Sequence, residues 1–93
     1  MNKVKNMISS KGNAIANQFI ITSGWGNETF QSYDSIIAIK FQNGDVHLDG
    51  HYWDYSRTTG KYRNQFLGET KKETEKKIKT GEYLLVDLND LRN

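Results

Sequence analysis

The dipeptide Asn43-Gly44 constrains the fold of this chain more than any other feature, because it separates two runs of residues with the character of β-strands. A type I′ turn needs positive φ at both central positions, and asparagine and glycine adopt it at low cost. Residues 36–41 and residues 45–49 are therefore predicted to form an antiparallel hairpin. Alternation along its first strand predicts three large side chains on one face: Ile37, Ile39 and Phe41.

A second hairpin is predicted before the first. Residues 14–22 alternate and are rich in β-branched and aromatic side chains, which favours a strand. The glycine-containing stretch of residues 23–27 predicts a turn, and residues 28–32 are predicted to return as the partner strand. In the outgoing strand, we expect Phe19 and Ile21 to face the core.

Helical signals begin only after Trp53. Tyr62 and Phe66 stand four residues apart on one stripe, and Gly68 suits the position just after a helix. Gly60 within this stretch weakens the helical pattern. Three hydroxyl side chains are candidates for the cap at the start of this helix: Ser56, Thr58 and Thr59.

The second helix has a sharper beginning. Thr70 and Glu73 have the spacing of a capping box, and Gly81 is predicted to end the helix. Residues 82–88 then predict a last strand. The element order is therefore ββββααβ, which predicts an α+β fold: a small antiparallel sheet with two helices packed on one face.

Length and composition predict a single domain. The 93 residues are enough for one modest core, which we assign to residues 14–93. Residues 1–13 are polar and contain three lysines, and we expect them to form a flexible N-terminal arm, with one short helical turn as the alternative. Because the chain has no cysteine, disulfides and thiolate zinc sites are impossible, as is usual in a reducing compartment. Its apolar runs are too short to cross a bilayer, so we expect a cytoplasmic protein with no membrane contact.

Charge is distributed unevenly along the chain. Residues 14–56 contain one lysine and five acidic residues, whereas residues 57–79 contain eight lysines or arginines and three glutamates. A fold that placed these segments on different faces would have a dipole able to steer a charged partner. Lysines and glutamates three or four residues apart are also how a thinly apolar helix stays in water, so the basic segment alone does not identify a binding surface.

Candidate partner-binding residues come from the basic segment and from exposed aromatic positions. Arginine and lysine beside aromatic rings suit phosphate contact with base stacking, and a tryptophan at a hairpin tip can anchor a partner protein. A turn that folds back and buries the tryptophan is an equal alternative. The candidates are Trp25, Tyr55, Arg57, Lys61, Arg63, Lys71, Lys72 and Lys76.

The sequence contains no specific catalytic signature. His47, Asp49 and His51 are metal-ligand types at two-residue spacing on a predicted strand, but a solvated strand face explains them better. The glycines match neither phosphate-loop nor dinucleotide-binding spacing. We therefore predict that the protein is not an enzyme and uses no metal or cofactor.

Three segments resemble a family of small uncharacterised proteins encoded on phages, plasmids and other mobile elements of low-GC Gram-positive bacteria. They are A-N-Q-F at residues 16–19, F-Q-S-Y-D-S-I-I-A at residues 30–38, and W-D-Y-S-R-T-T-G-K-Y-R-N-Q-F-L-G at residues 53–68. The resemblance extends over about residues 14–89.

This resemblance implies a biological setting. Small proteins of such elements often resemble inhibitors of host defence, including anti-CRISPR proteins. The expected function is stoichiometric inhibition of a host defence nuclease, with that nuclease or its ribonucleoprotein complex as the partner. The alternative is an accessory protein for replication or transfer that binds DNA or RNA directly. Either would act in the host cytoplasm, as a monomer or a homodimer.

Overall fold

A computed structural model describes residues 2–89 as a mixed six-stranded β-sheet with two helices, an α+β fold. The strands lie side by side in chain order, and both helices fall between the last two of them. Neighbouring strands are antiparallel, except that β5 and β6 are parallel. The elements are β1 (Lys3–Ile8), β2 (Ala14–Thr22), β3 (Glu28–Ser32), β4 (Ser35–Lys40), β5 (Val46–Asp49), α1 (Arg57–Leu67), α2 (Lys71–Lys79) and β6 (Tyr83–Val86).

The predicted order ββββααβ is wrong because a fifth strand precedes the helices. That strand, β1, lies within residues 1–13, which we expected to be a flexible arm, and it pairs with β2 so that Val4 stands opposite Ile21. Its sequence is unusual for a strand because it contains Lys3 and Lys5. Lysine is common in edge strands, where it discourages pairing with other chains.

The predicted all-antiparallel sheet is also wrong. After β5, the chain crosses through α1 and α2 before it re-enters the sheet beside β5, and a connection through helices brings the returning strand in parallel. Residues 90–93 of the expected domain lie outside the described residues.

Both helices pack on one face of the sheet. Phe30 is fully buried in the centre of this interface, and its ring centroid lies 5.8 Å from that of Phe66 in α1. The Tyr83 hydroxyl in β6 donates a hydrogen bond to Glu69 beside α2. The buried hydrophobic residues are Met7, Ile20, Phe30, Ile37, Ala38, Val46, Leu48, Phe66 and Tyr83.

The expectation that Phe19 and Ile21 face the core is wrong. Their neighbours Gln18 and Ile20 are buried instead, and Ile20 stands opposite Phe30 on the helix side. Because successive side chains of a strand point to opposite faces, Phe19 and Ile21 lie on the face without helices. Both faces of β2 carry apolar residues, so alternation alone could not identify the covered face.

A register shift also alters the predicted face of β4. The pairing slips between Phe30 and the next residue of β3, and this irregularity falls at Ile37. Ile37 and Ala38 are consequently both buried, although simple alternation would place them on opposite faces. Ile39 lies on the face without helices, opposite His47 of β5.

The helix boundaries follow the predicted caps. The Ser56 hydroxyl accepts a hydrogen bond from the backbone N–H of Thr59, and Gly68 ends α1 in the left-handed conformation with φ of 69°. At the start of α2, Thr70 and Glu73 form both bonds of the capping box. These local signals therefore mark the ends of both helices, and the structure selects Ser56 from the three candidates for the first cap.

Two well-bonded carboxylates make the protein sensitive to acid. Burial alone would raise the pKa of Asp49 and of Glu69. In Asp49, backbone N–H groups of residues 88, 52 and 51 more than offset this effect, and in Glu69 hydrogen bonds from Lys77, Thr74 and Tyr83 do so, which leaves both pKa values below their ordinary range.

The folded chain therefore binds fewer protons than the unfolded chain between the folded pKa values and the ordinary values near 4. We expect the free energy of unfolding to be constant between about pH 5 and pH 7 and to decrease as the pH falls below about 4. Urea unfolding between pH 2 and pH 7 would measure this. The variant Glu69→Gln should have a shallower decrease, and an identical profile would contradict the assignment.

Candidate functional site

The outward surfaces of the two helices form a cationic surface, which we call the basic helical layer. Its members are exposed and lie on one side of the molecule, opposite the face of the sheet that has no helices. Lys72, Lys76 and Lys79 form a stripe along α2 at helical spacing, interrupted by Glu75. The layer consists of Arg57, Lys61, Lys71, Lys72, Lys76 and Lys79.

An open cleft of the layer lies at the beginning of α1. The cleft has a volume of about 630 Å³, and its wall on α1 includes Arg57, Gly60 and Lys61. Lys71 at the start of α2 forms the opposite wall, beside Asp54. With three exposed cations and one carboxylate, the cleft has a net positive charge. The amino-terminal end of α1 adds a partial positive charge of the same sign.

Arg63 lies beneath this cleft and is a structural residue. Its side chain is 1% exposed, and its guanidinium donates hydrogen bonds to the carbonyl oxygen of Trp53 at 2.7 Å and to Asp54 at 3.1 Å. A third bond goes to the side chain of Asn64, and the group lies 5.1 Å from the ring centroid of Trp53. The sequence grouped Arg63 with the exposed cations, but these contacts make it the floor of the cleft.

Asp54 links the floor and the rim of the cleft. One carboxylate oxygen accepts from Arg63, and the other lies 2.7 Å from the Lys71 ammonium. Partial burial would raise the pKa of Asp54, but the hydrogen bonds and charges of Lys71 and Arg63 lower it overall. Asp54 therefore stays ionised and holds Lys71 in place, which leaves Arg57 and Lys61 as the cations free to meet an anion.

A smaller cavity adjoins the cleft and shares Ser56 with it. We call it the tyrosine pocket; it has a volume of about 200 Å³ and combines aromatic rings with hydroxyl groups. The Tyr52 and Tyr55 ring centroids lie 5.3 Å apart. The pocket is lined by Ser32, Tyr33, Ser35, Ile37, Tyr52, Tyr55, Ser56 and Thr59.

Two rings of the tyrosine pocket are held in exposed positions. Tyr55 is 65% exposed, and Tyr33 is 58% exposed with a positive φ of 54°. A tyrosine in the left-handed region is strained, and such strain is concentrated at binding sites. Of these two residues, the sequence identified only Tyr55. Tyr33 could not have been found, since no local pattern brings residue 33 next to residue 55.

Trp25 is separated from the cleft. Its side chain is 83% exposed at the turn between β2 and β3, so the alternative of a buried tryptophan is excluded. This turn precedes Glu28, which pairs with Lys40, and Lys40 contacts the carboxyl end of α1 through Phe66. The cleft lies at the other end of α1. Trp25 and the cleft therefore contact one partner only if that partner spans the length of the helix.

The residues considered for metal binding do not converge. Asp49 is 1% exposed, and its oxygens accept the backbone N–H groups of His51, Tyr52 and Leu88. The rings of His47 and His51 pack against different aromatic neighbours, at Phe41 and Tyr52 respectively. Among residues 2–89, no three side chains of metal-ligand type are grouped to hold an ion.

The acidic residues of the first half of the chain do not form an opposing surface. Asp34 and Asp45 are exposed in separate turns, Glu28 pairs with Lys40, and Asp49 and Asp54 make the internal contacts described above. The charge asymmetry of the sequence therefore becomes a basic layer without an acidic counterpart in the described structure. Within residues 2–89, no helix has the length and apolar content needed to cross a membrane.

Comparison with known proteins identifies a family. Residues 2–82 match a family described as "Family of unknown function (DUF8033)", so the match includes β1 and ends one residue before β6. Neither the search of curated proteins nor the search of solved structures gives a match. With more than four fifths of its length inside this match, the chain belongs to this family of uncharacterised proteins.

Proposed function

We propose that this chain is a non-catalytic binding protein of a phage or other mobile element and that it inhibits a host defence nuclease stoichiometrically, as anti-CRISPR proteins do. The observation that supports this proposal is the basic helical layer with its cleft. Three cations of the expected partner-binding set converge there on one accessible concavity: Arg57, Lys61 and Lys71.

The charge of the layer supports a partner with a negatively charged surface. Cations are spread over both helices, so a complementary partner presents repeated negative charges, as a ribonucleoprotein or an acidic protein surface does. The guanidinium of Arg57 can bind a phosphate or carboxylate through two hydrogen bonds, which a lysine cannot do. The proposed partner is therefore the nuclease with its bound guide, contacted through the phosphates or through acidic side chains.

Charge reversal in the cleft tests this proposal. The double variant Arg57→Glu/Lys61→Glu should bind the nuclease complex at least about 100-fold more weakly, because like charges then face each other across the contact. Inhibition of DNA cleavage, titrated against a fixed nuclease concentration, would measure the change and the stoichiometry. The double variant Lys3→Glu/Lys11→Glu changes the net charge equally at exposed sites in β1 and the turn that follows it, outside the cleft, and it should inhibit like the unmodified protein. Equal losses in both variants would contradict a specific role for the cleft.

Direct nucleic-acid binding is the second candidate, and the tyrosine pocket favours it. A cationic cleft that continues into exposed aromatic rings is the arrangement by which proteins bind single strands, with phosphates on the cations and bases stacked on the rings. Tyr55 lies on the rim, next to the shared Ser56. On this proposal, the chain is an accessory protein for replication or transfer of the element.

Salt dependence distinguishes the two candidates. If the cleft binds a single strand, the variant Arg57→Gln/Lys61→Gln should reduce the slope of log K against log salt by about 1.4, since each phosphate contact contributes about 0.7. The variant Tyr55→Ala should weaken binding by roughly 10- to 100-fold and leave the slope unchanged, because stacking displaces no counterions. Fluorescence anisotropy with a labelled mixed-sequence oligonucleotide measures both. Undetectable binding at low salt would remove this candidate and leave the inhibitor proposal.

A further inference from the structure

The face of the sheet that has no helices, which we call the open face, is a continuous surface across all six strands. One row of mutually opposed residues runs from edge to edge: Val4, Ile21, Thr29, Ile39, His47 and Leu84. A second, shorter row lies beside it: Asn6, Phe19, Gln31 and Ile36. Six of these ten side chains are large and apolar.

The open face carries no lysine, arginine, aspartate or glutamate in either row. This is unexpected for a chain with 24 such residues, since Lys and Arg total 13 and Asp and Glu total 11. Asp49 follows His47 on the same side of β5, but it is buried and bonded to backbone N–H groups. Within the described residues, neither row of the open face therefore carries a charge.

Two of the four polar side chains in these rows already make hydrogen bonds within the chain. The amide of Asn6 donates to the carbonyl oxygen of Ile15 at 2.8 Å, and the amide of Gln31 donates to that of Tyr33 at 2.7 Å. Because these two amide groups donate to acceptors within the chain, they would keep these hydrogen bonds if another molecule covered the face. At the two edges, Val4 is 64% exposed and Leu84 is 49% exposed. Exposed apolar surface that spans a whole sheet marks an interaction site.

We propose that the open face is the interface of a homodimer, in which the sheets of two copies pack face to face. A twofold axis brings one patch against the same patch of the second copy, so a charged residue on the patch would be repelled by the same charge on the other copy. A face without charge avoids this repulsion, whereas a charged partner would lose hydration there and gain no ion pair. The twist of an identical sheet also fits the aligned packing of sandwiches, with sheets about 10 Å apart.

The extent of the face is sufficient for a stable contact. Six strands at a spacing of about 4.8 Å make it roughly 29 Å wide, and a mean strand length of nearly six residues makes it roughly 19 Å long. Two such faces amount to roughly 1,100 Å², above the 1,000 Å² or so that a specific interface requires. In the resulting four-layer particle, the two basic helical layers lie on the outside. This inference therefore does not depend on the proposed function.

The oligomeric state tests the proposal directly. Sedimentation of the unmodified chain should give twice the 10.7 kDa mass of one chain. The variant Ile39→Lys places a lysine in a central strand of each face, and it should raise the dimer dissociation constant by at least about 100-fold. The variant Lys72→Glu changes charge on the outer layer and should leave the constant unchanged. A monomeric unmodified chain, or an Ile39→Lys chain that dimerises normally, would overturn the proposal.

A cross-linking measurement covers the case in which Ile39→Lys fails to fold. Because the chain has no cysteine, Thr29→Cys introduces a single thiol at the centre of the open face. A bis-maleimide of about 10 Å span, matched to the separation of packed sheets, should join two such chains. The same reagent should not cross-link two chains of the Lys72→Cys variant. Cross-linking at position 72 but not at position 29 would assign the contact to the helices and overturn the proposal.

Discussion

Replacing Arg63 with methionine should lower the free energy of unfolding by about 2 to 3 kcal/mol. Removing one partner of a buried ion pair usually costs about 3 to 5 kcal/mol, because the remaining charge is left without compensation. Here the remaining carboxylate of Asp54 is 32% exposed and keeps Lys71, which reduces that part of the cost. The remaining loss of stability arises because the Trp53 carbonyl oxygen and the Asn64 side chain lose the hydrogen bonds that Arg63 donates.

Two further variants identify the source of this loss. Lys61→Met removes an exposed cation from the same helix and should change the stability by no more than about 0.5 kcal/mol. Arg63→Lys keeps the positive charge, but one ammonium cannot replace a planar group that bonds to three acceptors, so most of the loss should persist. Urea unfolding followed by far-UV circular dichroism measures all three. If Arg63→Met were as stable as Lys61→Met, the structural role of the guanidinium would be wrong.

Replacing Phe30 with alanine should have the largest effect of any single truncation, about 4 kcal/mol. Phe30 is 0% exposed and lies where the central strands meet α1, with its ring against that of Phe66. A phenylalanine-to-alanine change in a core costs about 3 to 5 kcal/mol, because apolar contacts are lost and a cavity remains. Domains of this size are stable by only about 5 to 15 kcal/mol, so the variant should be partly unfolded at 37 °C.

Trp25→Ala is the matched control for Phe30→Ala. It removes a larger ring from a position that is 83% exposed, and the expected change is within about 0.5 kcal/mol. Phe30→Leu, which keeps most of the volume, should lose no more than about 1.5 kcal/mol. Thermal unfolding followed by circular dichroism compares the three variants. Similar midpoints for Phe30→Ala and Trp25→Ala would show that the core is not centred on Phe30.

The candidate site was predictable only in part. Exposed cations were expected from the basic segment, and Arg57 and Lys61 do line the cleft. Arg63 was grouped with them because residue type reports charge and not burial. Its burial depends on acceptors at Trp53 and Asp54, which α1 meets only after the preceding loop has folded back on it. The tyrosine pocket depends in the same way on contact between that loop and the end of β3.

Much of the local structure was determined by the sequence itself, although the predicted type I′ turn is wrong because Gly44 has a positive φ and Asn43 does not. The strand β2 at Ala14–Thr22, the cap at Ser56 and the left-handed Gly68 all follow from backbone preferences of residues a few positions apart. Such preferences act within one turn or one strand, so they need no knowledge of the rest of the chain. The capping box at the start of α2 is of the same kind.

Only the tertiary structure decided how these elements combine. The edge strand β1 has a weak pattern of its own and exists through its pairing with β2, and β6 became parallel because two helices precede it. Tertiary packing also decided which face of the sheet the helices cover, because β2 has apolar residues on both faces: Phe19 and Ile21 on one, Ile20 on the other. An amphipathic pattern selects a face only when the other face is polar. With both faces apolar, the packing energy of the helices selected one face, and within residues 2–89 no helix packs on the other.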